Sequence, residues 1–349
     1  VSRPSADGTE AGGGRGISAA LYGCSGTTLT AAERAFFSHE NPLGFILFAR
    51  NIENPDQVRA LISELRAAVG RADAPVLVDQ EGGRVQRLRP PHWRAAPAAA
   101  TLAALGERAE AAVFLNARLI GRELADLGFT VDCAPVLDVS REETHAVIGD
   151  RAYSGDPGRV ARLGSAVCRG LRAEGVHPVI KHIPGHGRAK ADSHLELPRV
   201  AAAADDLRRL DFAPFRALAD EDWAMTAHIV YPAFDAAAPA TCSRRMVEEV
   251  IRGEIGFSGL LMSDDLSMKA LAGSFADRAR AALAAGCDMV LHCNGEMDEM
   301  RAVAEWVGAL SGTAWARFRK AEARRLAARA AAEPLETAEI AARLAEAMG

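Results

Sequence analysis

A single-domain α/β fold, a (β/α)8 barrel of TIM type, is what this sequence predicts, and three observations predict it. Short apolar runs alternate with longer alanine- and leucine-rich amphipathic stretches, the signature of βαβ units around a parallel sheet. Polar and titratable residues gather where successive apolar runs end. In a barrel all strand ends open on one face, so those groups would converge on one pocket. The length of 349 residues accommodates one barrel of typically ~250 residues with elaborations. An open doubly wound sheet is the competing architecture, but it would spread the same groups along a line. Neither a Gly-x-Gly-x-x-Gly after the first strand nor a P-loop speaks for a nucleotide.

Each element follows from its pattern. The candidate strands are Ile17–Tyr22, Gly44–Phe48, Pro75–Val78, Thr130–Pro135, Pro178–Lys181, Ala224–Ala227, Leu260–Met262 and Met289–Leu291. Helical periodicity falls between them at Pro55–Val69, Thr101–Leu127, Pro157–Glu174, Asp206–Asp220, Arg244–Ile255 and Phe275–Ala285. Arg301–Leu310 and Trp315–Ala332 are expected to finish the barrel wall. The glycine-rich tract Ala6–Gly16 reads as a flexible extension, so residues 1–16 stand apart from a barrel domain over 17–349.

Composition narrows the function. The chain is 49% hydrophobic and 25% charged with a net charge of -5, which argues against nucleic acid or an anionic membrane as the main partner. Six cysteines at 24, 133, 168, 242, 287 and 293 form no Cys-x-x-Cys pair and suit a reducing cytosol. Leu21-Tyr22-Gly23-Cys24 is superficially like a lipoprotein processing box. The apolar run before it begins only at Ile17, short of the roughly 7–15 residues of an export signal. No run reaches the ~20 apolar residues of a membrane span. The expectation is a cytoplasmic protein.

The chemistry concentrates in Lys181-His182-Ile183-Pro184-Gly185-His186-Gly187 and the Asp192-Ser193-His194 that follows. Lysine occurs only at 181, 190, 269 and 320, so Lys181 stands out as a compact ammonium among arginines. Three readings compete: a solvated loop, a metal site built on His182, His186 and His194, and a metal-free loop in which histidine transfers protons. A proline and two glycines interrupt the histidine run and disfavour the helical i, i+4 geometry of a zinc pair. Asp79-Gln80-Glu81-Gly82-Gly83-Arg84 follows the third strand, and Asp138, then Asp150-Arg151, follow the fourth. His228 follows the sixth, Ser263-Asp264-Asp265 the seventh, and His292-Cys293-Asn294 the eighth. Asp79, Arg87, Arg151, Lys181 and His182 would suit a hydroxyl-rich ligand, because each hydroxyl both donates and accepts. Asp264, leaving a buried strand, suits a carboxylate nucleophile; the bland reading is a helix N-cap, for which Asp265 is the better candidate.

Taken together in this order, from about Ile17 to Asn294, these motifs resemble family 3 glycoside hydrolases. The likeness extends to the bacterial β-N-acetylglucosaminidases of peptidoglycan recycling. The resemblance implies a retaining exo-hydrolase that removes non-reducing terminal β-1,4-linked N-acetylglucosamine from muropeptide fragments, through a covalent glycosyl-aspartate. Asp264 would be the nucleophile, His194 the acid/base and Asp192 its orienting partner. Asp79, Arg87, Arg151, Lys181 and His182 would hold the sugar, with no metal and no cofactor. A histidine would thus replace the second carboxylate usual in glycosidases. Larger family members take their acid/base from a second αβα domain. The 55 residues after Asn294 read as helix, so the histidine loop becomes the expected proton source, and its glycines suggest a loop that closes over substrate. The implied partner is a small sugar, with no nucleic acid, no membrane and no protein partner specified. A family phosphorylase, a metal-dependent hydrolase and a non-catalytic sugar-binding barrel are the alternatives.

Overall fold

In the computed structural model, which describes residues 16–142, 144–193 and 195–349, eight parallel strands close into a barrel. They are β1 (Ser18–Tyr22), β2 (Pro42–Leu47), β3 (Val76–Val78), β4 (Val131–Asp132), β5 (His177–Ile183), β6 (Trp223–Thr226), β7 (Leu260–Asp265) and β8 (Met289–His292). Each lies between its sequence neighbours, and β1 meets β8 through Ala20↔Val290 and Leu21↔Leu291 to complete the ring. β1, β2 and β5 are buried along their whole length, as strands covered on both faces must be. The expectation for residues 1–16 falls, apart from Gly16, outside the described residues.

Helix starts follow capping chemistry. Thr30 opens Ala31–Glu40 with a reciprocal capping box to Glu33, worth about 1 kcal/mol. Asn54 and Asp156 cap Pro55–Ala68 and Pro157–Ala173, each with proline in the first turn, where its missing N–H costs nothing. Ser274 caps Phe275–Ala285, and Gly286 ends it in the left-handed region at φ 112°. That helix has the bounds the periodicity predicts.

Elsewhere the pattern and the structure differ for local reasons. The stretch expected as one helix over Thr101–Leu127 is broken: Ala99–Ala103 and Ala109–Leu127 are separate, with Gly106 at φ 64° between them. The fourth strand, expected over Thr130–Pro135, ends at Asp132. Beyond it the chain still bonds β5, through the Ala134 and Pro135 carbonyls and a bridge from Val136 to Lys181, although Pro135 has no N–H to donate. The helix expected over Asp206–Asp220 ends three residues early, at Ala217, and residues 207–211 form a wide turn ahead of Pro214. The wall helices run Met297–Ala304 and Gly312–Ala331. Beyond them Thr337–Met348 is also helical and buries Ile340 and Leu344. Arg118 and Arg122, both paired with Glu174, tie that segment down through the Glu333 and Leu335 carbonyls. Among the described residues no helix is long and apolar enough to cross a membrane.

Candidate active site

The polar strand ends converge as the barrel reading requires. Asp79, Arg87, Arg151, Lys181, His182 and Asp264 line one cleft at the C-terminal face, together with Phe48, His186, Ser193 and Met268. The cleft encloses about 820 Å³, its open mouth included.

An ionic lattice forms one wall. Lys181 Nζ donates to Asp79 Oδ1 at 2.9 Å and lies 2.7 Å from Glu81 Oε1. Arg87 donates to the other Asp79 oxygen at 3.1 Å, and its guanidinium sits 5.3 Å from the Phe48 ring centre. Arg151 grips Glu81 with two parallel bonds of 2.8 Å, the geometry in which arginine binds a carboxylate best. Burial opposes charge on Asp79 and Glu81, yet the cations win. Lys181 and Arg87 hold Asp79 well below the usual carboxylate range, and Arg151 with Lys181 brings Glu81 to about 2. Burial likewise opposes charge on Lys181, which Asp79 and Glu81 nevertheless keep firmly protonated.

Glu81 is the site residue that sequence reasoning passed over. The signal was present: in extended chain Asp79 and Glu81 project to the same side while Gln80 turns away. Gln80 is buried, and its side chain pins the turn by accepting from the Arg87 and Leu88 amides and donating to the Leu88 carbonyl. A small antiparallel hairpin of Gln80–Gly82 with Val85–Gln86 results; the Gly82-Gly83 turn, with both residues at positive φ, marks it in the sequence.

β5 carries the histidine motif. Its pairing with β6 shifts register between Lys181 and Ile183, and such an irregularity re-aims side chains. Lys181 and His182, consecutive in the strand, both reach the cleft. His182 Nδ1 pairs with Asp138 Oδ2 at 2.7 Å, while Asp138 Oδ1 accepts from the His186 amide at 2.6 Å. Burial pushes the Asp138 carboxyl up, but His182 outweighs it and sets it at about 2. Asp138 is therefore the carboxylate that orients His182, through the turn that follows β4. Burial and the neighbouring His182 push His186 down to about 4, so it is neutral near pH 7.

The glycines of this loop anchor it. A side chain at Gly187 would meet the Val139 carbonyl oxygen at 2.0 Å, and Tyr231 donates to the Gly185 carbonyl at 2.6 Å. Both glycines are thus sites of close packing in this structure. Asp192 begins a turn whose Leu195 and Glu196 amides bond its carbonyl. Next to it, Ser193 faces the cleft and lies 3.3 Å from His186 Nε2. His194, named for the acid/base role, lies outside the described residues.

Asp264 and Asp265 end β7 and line the same cleft. Asp264 Oδ1 accepts from the Asp265 amide at 2.8 Å. Asp265 is committed to structure: its oxygens accept from the Ser267 and Cys293 amides at 2.9 and 3.1 Å and from the Ser267 hydroxyl at 2.5 Å. It caps a turn and not a helix, since the next helix starts only at Phe275. Both carboxylates line the cleft, and Asp265 is the one that three protein donors hold. Among the described residues no group of three or more His, Cys, Asp or Glu side chains is arranged to hold a metal ion.

Comparison with known proteins agrees with this geometry. The family model described as glycosyl hydrolase family 3 N terminal domain matches residues 22–328. A β-hexosaminidase of Pseudomonas aeruginosa is 46% identical over 272 residues, covering 77% of this chain and 80% of that protein. The structure of NagZ from Neisseria gonorrhoeae in complex with N-trifluoroacetyl-D-glucosamine superposes with a TM-score of 0.84 at 32% identity, over 96% of this chain and 99% of that one. A family 3 β-N-acetylglucosaminidase from a Paenibacillus species gives 0.83 at 31% identity, over 95% of this chain and 67% of that one. The chain belongs to glycosyl hydrolase family 3 and is a hydrolase of its β-hexosaminidase, NagZ type.

Proposed function

We propose that the protein is a retaining exo-β-N-acetylglucosaminidase acting in the cytoplasm. Its substrate would be the muropeptide-derived disaccharide, from which it releases the non-reducing terminal β-1,4-linked N-acetylglucosamine. The observation that carries this reading is a carboxylate, Asp264, in the same cleft as the Asp79–Lys181–Arg87 lattice. Ionised Asp79 accepts sugar hydroxyl protons while Lys181 and Arg87 donate to hydroxyl oxygens, so the ring is gripped from one side. The anomeric carbon then lies toward Asp264. Arg151 supports this grip through Glu81, and His182, fixed by Asp138, supplies a further donor.

In the first step an Asp264 oxygen bonds to the anomeric carbon as the glycosidic C–O bond breaks, and His194 gives its proton to the leaving oxygen. In the second, neutral His194 takes a proton from water, whose oxygen displaces Asp264. The two inversions give net retention. Asp192 would orient His194 and stabilise its charged form. A phosphorylase variant of the same scheme replaces water by phosphate, an anion that a neutral histidine does not repel. Incubating a chromogenic N-acetylglucosaminide with and without phosphate separates the two. Free β-N-acetylglucosamine formed first, at a phosphate-independent rate, supports the hydrolase; a sugar 1-phosphate would overturn it.

Two further outcomes are expected. Exhaustive dialysis against a chelator leaves turnover unchanged. Stoichiometric zinc whose removal abolishes activity and whose return restores it would favour the metallohydrolase. His194→Ala should slow natural disaccharides far more than nitrophenyl glycosides, because activated phenols leave with little protonation. With an activated substrate it should show a burst and then a slow phase, relieved by azide with formation of the β-azide. Asp192→Ala should behave likewise but more mildly. Uniform slowing of every substrate, with neither burst nor azide rescue, would reduce His194 to a structural residue.

A further inference from the structure

Beneath Asp264 runs a closed chain of buried polar groups for which the proposed chemistry has no direct use. Thr226 ends β6, His228 follows two residues later, and Thr241 lies on the return of the same loop; all three are fully buried. The Asp264 amide points at Thr226 Oγ1, 3.3 Å away. Thr226 Oγ1 lies 2.8 Å from Thr241 Oγ1, which lies 2.7 Å from His228 Nδ1. His228 Nε2 lies 3.0 Å from the carbonyl oxygen of Asp265. The circuit therefore starts at the amide of one residue and ends at the carbonyl of the next.

Hydrogen counting fixes its direction. A carbonyl only accepts, so His228 must carry its proton on Nε2 and donate it to Asp265. Burial disfavours the imidazolium, so Nδ1 is a lone pair and needs a donor. Thr241 has one hydroxyl hydrogen and supplies it there. The Thr226 hydroxyl must then donate to Thr241, which leaves the Thr226 oxygen free to accept from the Asp264 N–H. Every group donates once in the same sense around the circuit, the arrangement in which hydrogen bonds strengthen one another. The Ala227 carbonyl, 3.1 Å from Thr241 Oγ1, is the competing acceptor, and neutral His228 keeps the hydroxyl turned away from it. Asp264 and Asp265 of β7 and His182 of β5 are the charged or titratable groups whose fields reach His228.

We infer that Thr226, Thr241 and His228 are positioning residues that hold the Asp264–Asp265 backbone by this one-directional circuit, and so aim the Asp264 carboxylate at the anomeric carbon. The inference rests on Asp264 being the nucleophile, as proposed above. Displacing a reacting group by about 1 Å can cost on the order of 10²-fold in rate, so a small slackening at the strand end is enough.

The test compares Thr226→Val and Thr241→Val, which keep shape and lose the hydroxyl, with Thr226→Ser and Thr241→Ser, which keep the hydroxyl. The readouts are kcat and KM on an aryl N-acetylglucosaminide and the rate constant of covalent labelling by a slow fluorosugar. The valine variants should lose roughly ten- to hundred-fold in kcat and in labelling, with KM within about twofold. The serine variants should stay near wild type. Equal losses for valine and serine, or valine labelling at the wild-type rate with the label on Asp264, would overturn the circuit. A label found on another residue of the wild type would instead overturn the nucleophile assignment. Should the valine variants not fold, neutron diffraction on the wild type decides. Hydrogen on His228 Nε2 with the Thr241 hydroxyl aimed at Nδ1 supports the inference; hydrogen on Nδ1, or a Thr241 hydroxyl aimed at the Ala227 carbonyl, contradicts it.

Discussion

Replacing Asp264 by asparagine is expected to lower turnover by on the order of 10⁴-fold or more while leaving the fold intact. The structural part rests on two bonds that the substitution keeps. Its Oδ1 accepts the Asp265 amide proton at 2.8 Å, and an amide oxygen in the same place accepts it equally well. Its own amide bond to Thr226 is backbone and unaffected. On the proposed mechanism, the substitution takes away the carboxylate oxygen that would bond to the anomeric carbon. Thermal denaturation should therefore show a midpoint close to wild type, alongside lost activity. Asp265→Asn should give the reverse pattern. Asp265 Oδ1 accepts from the Ser267 and Cys293 amides and Oδ2 from the Ser267 hydroxyl; asparagine keeps only one acceptor oxygen, so the substitution should cost stability on the order of 1 kcal/mol and leave substantial turnover. If Asp265→Asn is dead and Asp264→Asn active, the nucleophile has been assigned to the wrong carboxylate.

The second large effect is expected at Lys181. Its side chain is 3% exposed, and the ammonium lies between the carboxylates of Asp79 and Glu81, whose side chains are 15% and 7% exposed. Lys181→Met would leave two buried carboxylates side by side, each with only one cation remaining, Arg87 and Arg151 respectively. Breaking a buried ion pair from one side typically costs about 3–5 kcal/mol, and the surviving arginines put the expectation at the lower end. The pH dependence has a definite sign. In the wild type both carboxyls sit below their ordinary values. Their stabilising contribution is thus complete above about pH 4.5 and is lost as pH falls through the folded values, about 2 for Glu81. Without Lys181 those folded values rise, one carboxyl takes up a proton in mild acid, and the repulsion disappears. Urea unfolding at pH 7 and at pH 4.5 should show the deficit of the variant shrinking in acid. A deficit that is absent at pH 7, or that grows in acid, would contradict the ionic lattice.

The barrel was legible in the sequence because its signal is cumulative. Eight apolar runs, each too short to be decisive, alternate with amphipathic stretches, and polar groups follow them at the same end. Single elements were less secure where one residue overrules a pattern. Gly106 splits what reads as one long helix, and Pro135 brings no N–H to the end of the fourth strand although its neighbours are apolar. The helix Thr337–Met348 carries so much alanine that its two buried anchors, Ile340 and Leu344, barely register as a stripe. At the site, Asp79, Arg87, Arg151, Lys181, His182 and Asp264 are brought to one cleft. Glu81 and the role of Asp138 were hidden for a different reason: both act on other protein groups. A residue that orients another is indistinguishable from surface charge until its partner, 70 positions away for Glu81 and Arg151, is seen beside it. The circuit of Thr226, Thr241 and His228 is concealed in the same way, since threonine at a strand end reads as ordinary β structure.

The nucleophile is identified by the mass of the protein after reaction with a slow fluorosugar of the N-acetylglucosamine type, followed by peptide mapping. One added sugar per chain is expected, on the peptide that contains Ser263-Asp264-Asp265, with fragment ions placing it on Asp264. Slow release by water should restore activity at the rate at which the label is lost. A label on any other residue, or full turnover of the slow substrate with no covalent species at any time, would contradict that assignment, the latter pointing to attack by the substrate's own acetamido group.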